Sequence, residues 1–250
     1  MKLIVNADDF GRTRGINYGI VECMKNGILT STTIMMNMPY AEHAVELAKK
    51  EGIKSIGVHL TFIEKSLSQG KTLVDENGNF KKYPELMAEA DVEEIKKEMR
   101  MQINKLISFG IEPTHLDGHH HVHLYSSKMA EAVFEMGRDY NLPVRVGNIQ
   151  TTRLGEEIII PEDIKTTNVF EGDFYGERVK FEDFVQILDL LEDQEVVELM
   201  CHPAFLCTDT MNSSYAYPRL TELDVLTGNG VKEYVRDKGI ELVDFTVLGD

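Results

Sequence analysis

Thr114-His115-Leu116-Asp117-Gly118-His119-His120-His121-Val122-His123 places five of the eight histidines of this 250-residue chain within ten positions. No packing requirement produces that density. Imidazole is a common ligand of transition metals and changes charge near neutral pH, so the cluster suits metal binding or proton transfer. It is internal, is interrupted by Val122 and follows Ile111-Glu112-Pro113, which reads as the approach to a strand and not as an appended tag. If that strand continues from His115, period-two alternation puts Asp117, His119, His121 and His123 on one face and His120 and Val122 on the other.

The same strand-then-polar pattern recurs along the chain. Leu3 to Ala7 reads as a strand ending in Asp8-Asp9-Phe10-Gly11, followed by a helix with the apolar face Ile16, Ile20, Cys23 and Met24, stopped by Asn26-Gly27. Ile28 to Asn37 is nearly uncharged and rich in β-branched residues, as expected of a strand buried on both faces. A helix over about Ala41 to Lys50 leads to a strand over Ser55 to Leu60, which carries His59. Residues 61 to 84 lack periodicity and contain an Asn77-Gly78 turn signal; a long amphipathic helix from Val92, closed by Gly110, then feeds the histidine strand. A helix bearing Met129, Val133 and Met136 precedes the strand Val144-Arg145-Val146. Residues 148 to 180 have no clear assignment beyond short apolar runs. A helix from Phe181 to Leu191, a strand from Glu195 to Met200 ending at Cys201-His202-Pro203, a helix over Leu220 to Arg236 and a strand over Glu241 to Phe245 complete the reading.

Repeated strand–helix units with apolar strands mean α/β architecture with a parallel sheet. Asp8 and Asp9, His59, His119, Arg145 and His202 fall at or just beyond the ends of five strands, and strands converging their carboxyl ends on one site is how a (β/α) barrel builds its active face. One domain over residues 1–250 is expected, since an apolar fraction of 42% suffices for a single large core. The formal charge of −16, from 26 basic against 42 acidic residues, argues against nucleic acid or an anionic membrane as partner. Three cysteines, Cys23, Cys201 and Cys207, beside apolar runs read as reduced thiols. With no apolar signal region and no run of roughly 20 apolar residues, a cytoplasmic location is expected. A homodimer is the expected assembly.

Individually the polar residues admit ordinary readings. Asp9 could cap the turn after its strand, and a lone histidine such as His59 is more often structural than a ligand. Arg145, between two valines, must be paired if buried, and a site carboxylate is the obvious partner. Taken together, Val5-Asn6-Ala7-Asp8-Asp9-Phe10-Gly11, Asn26 to Thr33, Gly57-Val58-His59, Thr114 to His123, Leu199-Met200-Cys201-His202-Pro203 and Tyr217-Pro218-Arg219-Leu220-Thr221-Glu222-Leu223 resemble the YdjC-like family, which includes the chito-oligosaccharide deacetylases. The resemblance runs from residue 3 to about residue 225. Gly118 stands where many members carry Ser, and Ala204 where Gly often follows His-Pro; neither change removes a reactive group.

The resemblance implies a distorted (β/α) barrel resembling polysaccharide deacetylases and a metal-dependent hydrolase that releases acetate from N-acetylated amino sugars. It implies a divalent metal held by Asp9, His59 and His119, with Asp8 as general base, His202 as general acid and Arg145 orienting a carboxylate. Magnesium is the cation the resemblance names first, while the ligand types also suit zinc or another transition metal. Donation to the departing amine calls for a cationic imidazole at His202, so turnover is expected to fall as pH rises through its pKa. Two rivals remain at this level. A phosphoesterase or sugar isomerase would use similar ligands, and a non-catalytic sugar or metal sensor would keep the ligands without needing Asp8 and His202.

Overall fold

The apolar run after Lys2 becomes strand β1 (Lys2–Phe10) in the computed structural model, which describes residues 1–249, and every residue from Leu3 to Phe10 is buried. Burial of both faces is what a parallel sheet covered by helices imposes. In chain order β1 is followed by α1 (Arg14–Asn26), β2 (Ser31–Ile34), α2 (Ala41–Glu51), β3 (Ile56–Leu60), α3 (Tyr83–Glu89), α4 (Val92–Ser108), β4 (Leu116–Gly118), α5 (Ser127–Tyr140), β5 (Val169–Glu171), α6 (Phe181–Asp189), β6 (Val196–Cys201), α7 (Thr208–Met211), α8 (Tyr217–Thr227), α9 (Asn229–Asp237) and β7 (Glu241–Leu242). The strands pair in parallel in the order β4-β3-β2-β1-β6-β5, and β7 lies beside the start of β1. Parallel pairing sends all carboxyl ends to one side, and the conspicuous polar residues gather there.

The sheet curls without closing through regular ladders. Val144-Arg145-Val146 is not a full strand: Val144 makes one parallel bridge to Leu116, and Arg145 N–H donates to the Leu116 carbonyl at 2.9 Å. On the other side, Val144 N–H donates to the Lys165 carbonyl at 2.9 Å and the Asn148 side chain accepts from Phe170 N–H of β5 at 3.2 Å. This segment therefore fills the seam between β4 and β5 with scattered bonds, and the result is a distorted, half-open barrel.

One further boundary differs from the pattern reading, and the excursion after β3 matches it. The helix expected over Leu220 to Arg236 is two helices, α8 and α9, because Gly228 takes an extended conformation (φ −63°, ψ 153°) between them. Residues 61–84 form an excursion with antiparallel bridges at Lys65–Asn79 and Val74–Phe80 around the expected turn. Buried Glu98 of α4 pins it, accepting from Ser66 Oγ at 2.7 Å and Ser68 N–H at 2.8 Å. Among the described residues, no helix is long and apolar enough to cross a membrane.

Candidate active site

The register of β1 on β2 shifts between Ala7 and Phe10, and Asp9 within that irregularity holds φ 74°. A left-handed backbone costs a non-glycine residue about 1–2 kcal/mol. What it achieves is visible: strand alternation would send neighbouring side chains to opposite faces, whereas the bulge brings both Asp8 and Asp9 to one cleft of about 510 Å³. His59, Arg12, His119, His120, His121, Tyr175, His202, Tyr215 and Arg219 also line it.

Asp9, His59 and His119 stand at the ends of β1, β3 and β4, all buried, with one ligand atom from each within 4.8 Å of the others. Asp9 Oδ1 lies 2.9 Å from His119 Nδ1 and 3.5 Å from His59 Nε2, yet it has no hydrogen-bond partner. A buried carboxylate oxygen and two imidazole nitrogens that face one point without bonding each other match the donor set of a divalent cation. The far sides of Asp9 and His59 are already held. His59 Nδ1–H donates to Asp117 Oδ1 at 2.7 Å, which turns the Nε2 lone pair toward Asp9. Asp9 Oδ2 accepts from Arg219 Nη2. A second possible set, Asp8, His59 and Asp117, fits a cation less well, because Arg145 and other donors already occupy both carboxylates.

Charge follows the same division. Burial pushes the Asp9 pKa up, but Arg219 and His119 outweigh it and hold the group well below the usual carboxylate range. Burial keeps His119 below its ordinary pKa and hence neutral, the ligating form. Burial also disfavours the charged form of His59, but Asp117 and Asp8 prevail and push it up to about 10, so a cation that binds Nε2 must displace a proton.

Arg145 is fully buried and serves three carboxylates. It forks onto Asp8 (Nη1–Oδ2 2.8 Å, Nη2–Oδ1 2.7 Å), pairs Asp117 at 2.9 Å and pairs Glu198 of β6 at 2.7 Å. Asn6 adds a donor to Asp8 Oδ1 at 3.0 Å. Burial raises the Asp8 pKa, yet Arg145, His59 and His202 reverse this and hold it far below the usual range. One guanidinium cannot neutralise three carboxylates. Glu198, with Oε2 unpartnered, carries the excess and is pushed up to about 7 by burial.

His202 follows the last residue of β6 and stands with Nε2 3.9 Å from Asp8 Oδ2. Its segment is seated by α1, where the small residues Gly15 and Gly19 allow close approach: a Cβ on Gly19 would lie 2.5 Å from Ala204 Cα, and one on Gly15 would lie 2.2 Å from the Phe205 carbonyl. Buried Glu222 of α8 accepts from the His202 backbone N–H and, at 2.5 Å, from Tyr215 OH. The Tyr215 ring stacks on Tyr175 at 4.1 Å, and both stand roughly perpendicular to the His202 imidazole. Burial, aided by Arg219, lowers the His202 pKa to about 3 against the pull of Asp8 and Asp9. The imidazole in this cleft is therefore neutral, where the sequence reading expects a cation.

The histidine stretch itself does not run on as a strand. β4 stops at Gly118, and His119 to Leu124 form a tight 3₁₀ turn in which His120 (φ 52°) and His121 (φ 54°) are left-handed. The expected shared face of His119, His121 and His123 is thereby broken. His119 and His121 reach the cleft, whereas buried His123 donates to the Arg145 carbonyl at 2.9 Å. His120 stacks on His119 at 3.8 Å. No role for Asp117, Arg219, Glu198 or Glu222 is legible from the sequence alone. Asp117 sits inside the histidine stretch, but its role depends on the β3–β4 register, which pairs it with His59. Arg219 and Glu222 lie in the Tyr217 to Leu223 motif of the resemblance, and the structure buries both, one helical turn apart on α8.

The profile of the YdjC-like protein family matches residues 2–237. A carbohydrate deacetylase of Clostridium beijerinckii is 44% identical over 98% of this chain and 99% of its own length. A chitooligosaccharide deacetylase of Yersinia enterocolitica is 37% identical over 98% of both. The crystal structure of an Enterococcus faecalis protein described as a candidate for cellobiose-phosphate cleavage superposes with TM-score 0.91 at 35% identity, covering 99% of this chain and 98% of that one. A family 4 carbohydrate esterase from Streptomyces lividans shares the fold at TM-score 0.52 and 11% identity, covering 96% and 91%.

Proposed function

The chain belongs to the YdjC-like protein family, and from that premise we propose that it is a metal-dependent carbohydrate deacetylase, a single domain that removes N-acetyl groups from chito-oligosaccharide-like amino sugars. The observation that carries this reading is the pairing of an unpartnered carboxylate oxygen on Asp9, facing His59 and His119, with an ionised Asp8 and a neutral His202 on the adjoining wall. Asp9, His59 and His119 are the proposed ligands and magnesium the proposed cation. When bound, the cation supplies Lewis acidity toward a water and toward the acetamide carbonyl.

The chain's own groups then handle one proton. Asp8, forked by Arg145, is an anchored carboxylate that accepts the proton of the attacking water. Because Arg145 makes protonated Asp8 a strong acid, the proton does not rest there. His202, neutral at the outset and 3.9 Å away, receives it and donates it to the sugar nitrogen as the C–N bond breaks. This arrangement retains Asp8 as base and His202 as acid but alters the pH signature. No alkaline limb arises from loss of a pre-existing imidazolium near the ordinary histidine pKa.

Acetate release from N-acetylglucosamine, its β-linked dimer and trimer and the phosphorylated dimer, before and after chelation and with magnesium, zinc or manganese restored, tests the reading. We expect acetate from at least one acetylated sugar, lost on chelation and regained with metal. Cleavage of a phosphorylated disaccharide without acetate release would overturn it.

A further inference from the structure

His121 has no evident work inside the protein. Its backbone is left-handed next to an equally left-handed His120, a conformation glycine adopts without a Cβ penalty and that eight glycines of this chain do adopt at positive φ. His120 repays its conformation by stacking on the ligand candidate His119 at 3.8 Å. The His121 ring instead lies 5.4 Å from the Phe170 centroid, steeply inclined to it, and 6.4 Å from that of His123, while its Nδ1 is buried with no hydrogen-bond partner. With Nδ1 buried and unbonded, the polar atom left open to a partner is Nε2, which is not buried and belongs to the cleft wall, where a ligand can complete the set. The left-handed turn swings this ring into the same cleft as Asp8, Asp9 and His202.

We infer that His121 is a substrate-binding residue whose imidazole hydrogen-bonds a hydroxyl of the sugar in the cleft. The inference rests on the carbohydrate reading above and extends it, because none of the proposed chemistry uses His121. A hydroxyl both donates and accepts, as does an imidazole with one N–H, so the pair is matched without any charge. A contact made equally in the ground and transition states appears in KM and leaves kcat nearly unchanged.

The test is His121→Gly beside His121→Asn, in the metal-loaded enzyme, with the best sugar of the acetate-release panel. For His121→Gly we expect KM to rise roughly three- to tenfold with kcat little changed, as for a lost neutral hydrogen bond. Magnesium affinity by calorimetry should be unchanged, and the thermal midpoint should equal or exceed that of the parent, since glycine relieves the left-handed strain. Asn tolerates this backbone and keeps a donor and an acceptor, so His121→Asn should retain more of the affinity. A lower midpoint with unchanged KM would make His121 structural, and lost magnesium affinity would make it a metal-site residue; either overturns the inference. A parent enzyme that deacetylates no sugar removes the functional reading and this inference with it, whereas an active parent with unchanged KM in His121→Gly removes this inference alone.

Discussion

Asp8 and Asp9 are neighbours in the chain and opposites in their bonding. Both oxygens of Asp8 are taken by Arg145, with Asn6 added, whereas Asp9 gives one oxygen to Arg219 and leaves the other unpartnered between two imidazoles. The same split extends to the walls behind them. His59 is backed by Asp117 through a ring nitrogen, which fixes the direction of its free lone pair, while the His202 side chain is left without a hydrogen bond at Nδ1 and is held through its backbone N–H by Glu222. On the proposed reading, one wall presents lone pairs to a cation and the other keeps a carboxylate charged beside a neutral imidazole. Two adjacent acids acquire two kinds of work because a bulge separates their directions and two arginines, distant in sequence, choose their partners.

That contrast breaks most severely if the acids exchange behaviour. Asp8→Asn should keep the metal and lose roughly 10²- to 10⁴-fold in turnover, the usual contribution of a positioned proton acceptor. Elemental analysis of the purified variant decides: if Asp8→Asn is stripped of metal and Asp9→Asn is not, the two walls have been assigned the wrong way round.

Arg219 sharpens the comparison at a lower magnitude. It donates to Asp9 Oδ2 and to the carbonyls of Tyr215 and His202, so it ties the proposed ligand carboxylate to the His202 segment. Supporting partners of metal ligands typically govern affinity by about 10–100-fold. Arg219→Met should weaken magnesium binding, measured by calorimetry, within that range while an Asp8→Asn variant binds normally. Equal affinity in Arg219→Met and parent would separate Arg219 from the metal wall.

The smallest effect concerns stability in acid. His202 is neutral when folded, with its pKa lowered from 6.5 to about 3, so its contribution is fully present above pH 6.5 and is lost as pH falls from 6.5 toward 3. Glu198 and Glu222 have the opposite sign. Raised from 4.5 to about 7, they contribute below pH 4.5 and lose that contribution as pH rises through 7, which masks the histidine between those limits. Below pH 4.5 the histidine's share continues at about 1.4 kcal/mol per pH unit, beside the losses from the depressed carboxylates Asp8 and Asp9, which His202→Gln leaves in place. Thermal midpoints of His202→Gln should therefore fall less steeply than those of the parent from pH 4.5 to 3.5. Parallel slopes would mean that His202 is already protonated when folded.

Short-range rules read along the chain reach the elements and the residue types of the site. Apolar, β-branched runs specify parallel strands, the Asn26-Gly27 and Asn77-Gly78 pairs specify a helix end and a turn, and histidine density together with acids at a strand end points to a metal-type site at the carboxyl ends. How those groups divide depends on long-range packing. The bulge that aims Asp8 and Asp9, the register that sets His59 against Asp117, and the irregular seam that buries Arg145 are invisible to periodicity. So is the arrest of the histidine strand at Gly118, because a left-handed turn at two histidines runs against their local preference. The physical reason is separation. Arg145 meets Asp8 across 137 residues and Arg219 meets Asp9 across 210, and the balance of burial against charge that sets each protonation state exists only once those partners are packed together.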